Sequence, residues 1–165
     1  MKRSVRTIVS RALLIALIAA GAESRSDELY ADMGNWRIVY SDEYKGCVAL
    51  AEYNSGTAVT YGVDGMSRSR FINFGNSGWE FPLGQDFKVD FQVPGSAKFT
   101  GYFHTVERQG KVAFENGDLT DGFVAAVQGA NSMSMFVEGR YLTSFSLYGT
   151  NAAFNSVSQC ERARQ

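Results

Sequence analysis

The sequence contains one stretch in which apolar and polar residues alternate at every position, Phe87-Lys88-Val89-Asp90-Phe91-Gln92-Val93. Successive side chains of a β-strand point to opposite faces of the sheet, so the apolar side chains share one face and the polar ones the other. A strand with one face in the core and one in water is typical of antiparallel sheets. The stretch therefore predicts a half-buried antiparallel strand.

Eight further segments have strand patterns and are separated by turn sequences rich in Gly and Asn. These segments are residues 36–40, 47–53, 58–63, 70–73, 98–104, 111–114, 133–137 and 141–148. Turns such as Asn54-Ser55-Gly56 and Glu138-Gly139 supply the positive φ that tight hairpins require. Short strands at a spacing of roughly 8 to 12 residues predict an all-β fold, an antiparallel β-sandwich or barrel-like sandwich of about eight to nine strands.

Two segments depart from the strand pattern. Residues 118–129 contain an apolar run, Phe123 to Val127, that fits either a short helix or a buried strand. Near the C-terminus, the chain predicts a helix over residues 150–162, which Thr150 or Asn151 can cap. The apolar positions that recur at helical spacing in this segment are Ala153, Phe154, Val157 and Cys160.

The first 22 residues have the organisation of a secretory signal peptide. Four basic residues lie within residues 1–11, an apolar run covers residues 12–20, and the small-residue motif Ala20-Gly21-Ala22 follows. The apolar run has about half of the ~20 residues that a membrane span needs, so cleavage near Ala22 is expected, with an uncleaved anchor as the alternative. This predicts a periplasmic or secreted protein with one domain, residues 23–165, and no membrane span after cleavage.

Composition and charge exclude several classes of protein. The 165 residues are 45% apolar and 20% charged, with 17 Gly and 2 Pro, which excludes disordered, collagenous and coiled-coil chains. Removal of residues 1–22 takes away four of the 16 basic residues and none of the 17 acidic ones, so the net charge changes from -1 to -5. Nucleic acids and anionic lipids bind clustered Lys and Arg, so neither is expected as a partner.

The chain has two cysteines, Cys47 and Cys160. Two thiols in an exported chain most often form one disulfide, and this pair would tie an early strand to the C-terminal helix. The alternative is a pair of free thiols. A redox role is disfavoured because the sequence has no C-x-x-C motif.

The order of motifs along the chain resembles a group of small exported proteins of alphaproteobacteria and, more distantly, the invasion-associated locus B family. The motifs are Cys47, Gly56-Thr57, Phe71-Ile72-Asn73-Phe74-Gly75-Asn76-Ser77-Gly78-Trp79, the strand at 87–93, Phe145-Ser146-Leu147-Tyr148-Gly149-Thr150-Asn151-Ala152-Ala153-Phe154 and Cys160. The resemblance implies a periplasmic β-sandwich with a role in envelope integrity or host association. It carries no catalytic residue, because the shared motifs are structural.

The residues that could carry catalysis or bind a metal are few. His104 is the only histidine, so it would have to serve any triad or multi-histidine site, and a histidine at the rim of a strand is the alternative. Zinc sites need three or four N or S ligands, and with both cysteines in a disulfide only His104 remains. Four oxygen-bearing residues in one loop region give a calcium candidate, with a solvated turn as the alternative. They are Glu115, Asn116, Asp118 and Asp121.

Four residues are candidates for recognition of a partner. Trp79 follows the turn that contains Asn76, and an aromatic residue in a loop is costly to expose unless a partner covers it; the alternative is a place in the core. Arg68 and Arg70 flank Ser69 before a strand. They could meet an acidic partner, or they could keep the edge of the sheet solvated and unpaired.

These observations together predict a periplasmic binding or structural protein of the cell envelope that is not an enzyme and uses no cofactor. Its expected partner is an envelope or exported protein. Two alternatives remain open: an inhibitor or immunity-type protein that blocks a protein target, and a carboxylate-dependent hydrolase of the cell wall. No two carboxylates stand out in the sequence as the pair that such a hydrolase needs.

Overall fold

The computed structural model describes residues 27–96, 98–116 and 119–164, so the predicted signal peptide and Asp118 lie outside the described residues. The described ranges contain ten strands and two helices. In chain order they are β1 (Glu28–Asp32), β2 (Arg37–Ser41), β3 (Gly46–Glu52), β4 (Thr57–Val63), β5 (Arg70–Asn76), β6 (Asp86–Gln92), β7 (Phe99–Arg108), β8 (Lys111–Asn116), α1 (Asp121–Gly129), β9 (Ser132–Val137), β10 (Arg140–Ser146) and α2 (Thr150–Ala163).

All ten strands form one antiparallel sheet in the order β1-β2-β3-β4-β5-β8-β7-β6-β9-β10. The all-β antiparallel prediction and the nine strand segments are confirmed, but the predicted count of eight to nine strands is one short. The missing strand is β1, which lies at the edge of the sheet and pairs with β2 in an irregular register. Its five residues are mostly exposed, so no buried face imposes the alternation that identifies a strand.

The inner face of the sheet is a core of aromatic side chains. Phe74 of β5 lies with its ring centroid 5.3 Å from those of Phe91 and Phe145 and 6.3 Å from that of Phe103. Phe145 belongs to β10, and four strands separate β5 from β10 in the sheet. Because their inner faces nevertheless touch, the sheet is folded over on itself and encloses its own core.

Residues 121–129 form the helix α1. The sequence pattern of this region fits either a short helix or a buried strand. The Thr120 hydroxyl caps the helix by accepting a hydrogen bond from the Phe123 amide at 3.2 Å. The buried residues Phe123, Val124 and Val127 lie on one side of the helix. Phe123 packs against Phe91 of the inner face at a centroid distance of 5.2 Å, so α1 covers the core that β6 helps to form.

The C-terminal helix α2 is confirmed, with the predicted apolar positions buried, but its predicted cap is wrong. The N-cap residue is Gly149, with φ 81°, and no side chain caps the helix. Thr150 is instead the first residue of the helix, and its buried hydroxyl has no hydrogen-bond partner among the described residues. No helix within residues 27–96, 98–116 and 119–164 has the length and apolar character that a membrane crossing requires.

Helix α2 is held on strands β2, β3 and β4 by aromatic packing and by one covalent bond. Phe154 stacks on Tyr61 with centroids 3.5 Å apart and meets Trp36 edge-on at 6.2 Å. The predicted Cys47–Cys160 disulfide is present, and both cysteines are fully buried. The disulfide therefore fixes the last helix to the third strand inside the core.

We expect Cys160→Ser to lower the free energy of unfolding by up to about 4 to 5 kcal/mol, because the disulfide joins residues 113 positions apart and restricts the unfolded chain. Thermal unfolding of the oxidised parent, the reduced parent and the variant measures this. The reduced parent should match Cys160→Ser, and His104→Ala, which changes an exposed side chain, should melt with the oxidised parent. An unchanged melting temperature for Cys160→Ser would contradict a stabilising role of the disulfide.

Candidate functional site

Two of the sequence-predicted recognition residues make structural contacts. The Asn76 side-chain amide donates to the Thr57 hydroxyl at 2.9 Å and to the Ser55 carbonyl at 3.0 Å, and its oxygen accepts from the Gly78 amide at 2.7 Å. Asn76 thereby joins the turn after β3 to the turn after β5. Trp79 is half-buried and lies edge-on to Phe114 of the core at 5.6 Å. These contacts match the alternative in which Trp79 is a core residue.

The two arginines of the predicted pair have different partners. Arg68 is exposed, and its guanidinium lies 3.8 Å from the Glu161 carboxylate of α2. Arg70 forms an ion pair with Asp121 at the start of α1, and the hydrogen bond from Arg70 to Asp121 raises the pKa of the arginine. Each arginine therefore connects the sheet to one of the two helices.

The calcium candidates engage protein partners. The Glu115 carboxylate accepts a hydrogen bond from Arg108 at 2.8 Å, Asn116 donates to the Tyr102 carbonyl at 2.8 Å, and Asp121 pairs with Arg70. Asp118 lies outside the described residues. In the part of the chain that the structure describes, no three His, Cys, Asp or Glu residues are grouped so that they could hold a metal ion. Calcium binding stays a prediction from the sequence.

A polar network lies on the outer face of β5 and β8, opposite the core. Arg108 pairs with both Glu115 and Glu43, and Asn73 donates to the Tyr44 hydroxyl at 3.1 Å and to Glu115 at 3.4 Å. Burial, followed by the negative charge of Glu43, raises the pKa of Tyr44 to about 12. Tyr44 is therefore protonated at neutral pH, and the network holds the loop before β3 on the sheet.

His104 lies at the edge of this region. Its Nδ1 is 2.8 Å from an Asp86 carboxylate oxygen, and both side chains are more than half exposed to solvent. An exposed ion pair contributes little to stability. The position of His104 matches the alternative of a histidine at the rim of a strand.

An open groove lies where β6 turns toward β7, beside β9. It has a volume of about 380 Å³, within the range of small-molecule sites. Its lining residues are Gln92, Val93, Pro94, Ser96, Lys98 and Ser134. Most of these side chains carry an amide, a hydroxyl or an ammonium group, so the groove can hydrogen-bond a polar ligand.

The carboxylate of Asp90 lies next to the groove and neutralises the ammonium group of Lys98, which lines the groove. Asp90 is 5% exposed, and its two oxygens accept from the Lys98 ammonium at 2.8 Å and from the Thr100 hydroxyl at 2.6 Å. These hydrogen bonds, that from Lys98 first, lower the pKa of Asp90. The carboxylate is therefore ionised at neutral pH and compensates the charge of Lys98.

One wall of the groove continues into a row of hydroxyl groups and an exposed ring. The hydroxyls of Ser134 and Ser144 lie 2.8 Å apart, and Tyr141 donates to the Ser144 hydroxyl at 3.1 Å. The Tyr141 ring is 61% exposed and meets Phe136 edge-on at 5.7 Å. The wall therefore presents ordered hydroxyls beside an aromatic surface.

The sequence by itself does not predict this groove. The alternation at 87–93 places Asp90 on the solvent side, and Asp90 does face outward, but the side chains of the neighbouring strands bury it. In the sheet Asp90 pairs with Thr100 of β7 and Phe136 of β9. These neighbours are set by strand pairing between segments that are distant in sequence, so the only local signal is an Asp inside a strongly predicted strand, where Asp is rare.

The comparisons with known proteins returned no relative: no family model matches the chain, and no curated protein or solved structure matches it. The resemblance to exported alphaproteobacterial proteins therefore stays a prediction from the sequence.

Asp90 should give the protein a specific pH dependence of stability. The folded protein lowers the pKa of Asp90 from its ordinary value of 3.8, so this contribution is present above about pH 4 and is lost as the pH falls through the lowered pKa. The substitution Asp90→Asn removes this pH-dependent contribution to stability. We therefore expect the difference in unfolding free energy between parent and Asp90→Asn to shrink as the pH falls from 5 toward 2, as measured by urea unfolding.

The matched variant Lys98→Met keeps the carboxylate but removes the ammonium group that lowers its pKa most. Its loss of stability as the pH falls from 5 toward 2 should therefore be smaller than in the parent, because the folded-state pKa of Asp90 lies nearer to the unfolded value. Parallel stability profiles for parent and Asp90→Asn across this pH range would contradict the role assigned to the carboxylate.

Proposed function

We propose that the protein is a non-enzymatic binding protein of the cell envelope that acts in the periplasm or outside the cell. The buried Cys47–Cys160 disulfide supports this location, because such bonds form and persist in oxidising compartments. The basic, apolar and small-residue order of residues 1–22 also supports it. Both features are typical of exported proteins.

The observation that carries the binding function is the groove beside Asp90. Its hydrogen-bonding groups are hydroxyls and an amide, its ammonium is neutralised by the adjacent carboxylate, and the Tyr141 ring lies along the same wall. This arrangement favours an uncharged, hydroxyl-rich ligand over an anion, because no uncompensated cation of the groove is available to an anion. A glycan of the envelope is a ligand of this class.

The state of the carboxylates supports binding over hydrolysis. A cell-wall hydrolase of the carboxylate type needs a carboxylic acid with a raised pKa as its proton donor. Asp90, the carboxylate beside the groove, accepts a hydrogen bond from the Lys98 ammonium, which lowers the pKa of Asp90 and favours its ionised form.

Export is tested by fractionating cells that express the full chain and measuring the mass of the protein. We expect the periplasmic protein to lack residues 1–22 and to contain no free thiol. Leu14→Arg places a charge in the apolar run of the leader, so this variant should stay full-length in the cytoplasm with both cysteines reduced. Full-length parent protein in the cytoplasmic fraction would contradict the proposed location.

Ligand binding is tested by sedimentation of the oxidised protein with isolated peptidoglycan and, separately, with lipopolysaccharide. We expect the parent to bind one of them, and Ser134→Arg, which fills the groove, to abolish binding. Gln92→Ala should weaken binding by about 2- to 10-fold, the loss expected for one hydrogen bond.

Gln85→Ala is the matched control for the binding test, because Gln85 is also an exposed glutamine, precedes β6 and lies outside the groove. It should bind as the parent does. If neither glycan binds, the proposed ligand class is wrong. If Gln92→Ala and Gln85→Ala bind equally well, the groove is not the binding surface.

A further inference from the structure

A small cavity lies inside the core, where the two ends of the folded sheet meet helix α2. Its volume is about 10 Å³, and its walls are almost entirely apolar. Side chains from distant parts of the chain line it, among them Phe74 of β5, Phe145 of β10 and Phe154 of α2. A volume of this size corresponds to about one water molecule, and it is too small for an organic ligand.

Two of the residues that line this cavity each have a buried polar atom without a hydrogen-bond partner among the described residues. They are the indole Nε1 of Trp36 and the hydroxyl Oγ1 of Thr150. Trp36 is 2% exposed and Thr150 is 1% exposed, so bulk solvent does not reach them. Leaving a buried polar group without a hydrogen-bond partner destabilises the folded protein by roughly 1 to 3 kcal/mol. Two such groups at one cavity therefore favour a bound molecule that forms hydrogen bonds with both.

The geometry of the helix start brings the indole close to the residues that begin α2. A Cβ atom placed on Gly149 would lie 3.4 Å from Trp36 Cδ1 and 3.8 Å from Nε1. Gly149 is the N-cap of α2 and directly precedes Thr150. The nitrogen-bearing edge of the indole therefore faces the first residues of the helix.

We infer that this cavity binds one ordered water molecule, which accepts a hydrogen bond from Trp36 Nε1 and donates one to Thr150 Oγ1. The indole N–H is only a donor and the threonine hydroxyl can accept, so a single water satisfies both groups. Buried waters of this kind are structural parts of a protein. This one links the residue before β2 to the first residue of α2, where the core closes.

The inference is tested by a crystal structure of the oxidised protein at a resolution that shows ordered water, together with nuclear magnetic resonance of the indole protons. The sequence has two Trp residues, so Trp79→Phe assigns the indole signal of Trp36. We expect density for one water within hydrogen-bond distance of both atoms. We also expect a cross-peak between the Trp36 indole proton and water.

Two substitutions of Thr150 distinguish the effect of the bound water from the effect of side-chain packing. Thr150→Ser keeps the hydroxyl and should keep the water, whereas Thr150→Val keeps the shape of the side chain, removes the hydroxyl and should lose the water and melt at a lower temperature. The inference fails if the parent shows no density in the cavity, a molecule larger than water, or a direct hydrogen bond from Trp36 Nε1 to a protein atom. Because the parent crystal alone decides this, the test stands even if Thr150→Val does not fold.

Discussion

The stacking of Phe154 on Tyr61, with Trp36 against its edge, is the contact on which the rest of the structure depends. A single sheet of ten strands cannot bury its own inner face completely, so helix α2 must cover strands β2, β3 and β4. The disulfide between Cys47 and Cys160 adds a covalent bond between the same helix and the same strands. Aromatic packing and the disulfide therefore hold the same helix on the same strands, and the folded-over sheet surrounds this contact.

The closure of the sheet is made by side chains and not by a continuous hydrogen-bonded ladder, since β1 and β10 are both edge strands. Tyr53, just after β3, donates to the Ser146 carbonyl at the end of β10 at 2.8 Å. Its ring lies 6.0 Å from that of Phe145. The cavity with Trp36 and Thr150 lies under this contact, so a bound water there would complete the part of the core that the strands leave unpaired.

The inner faces of the strands form the core, whereas the outer faces of the same strands carry polar side chains. On β6, Val89 and Phe91 belong to the core, whereas Asp90 points outward and accepts hydrogen bonds from Lys98 and Thr100 beside the groove. The helices lie on the inner side, so the outer face of β6, β9 and β10 keeps exposed hydroxyls and the Tyr141 ring.

The sequence by itself determined the nine alternating strands, the C-terminal helix and the disulfide pair, because each follows from periodicity or from the chemistry of two cysteines. Local sequence did not determine β1, which has no buried face, or α1, whose apolar run fits a helix and a strand equally well. Only tertiary structure decided that Thr150 turns into the core instead of capping α2, and that Asp90 is buried beside a groove. Those two side chains are placed by strands and helices far away in sequence, and pairing over such distances leaves no trace in the local pattern of residues.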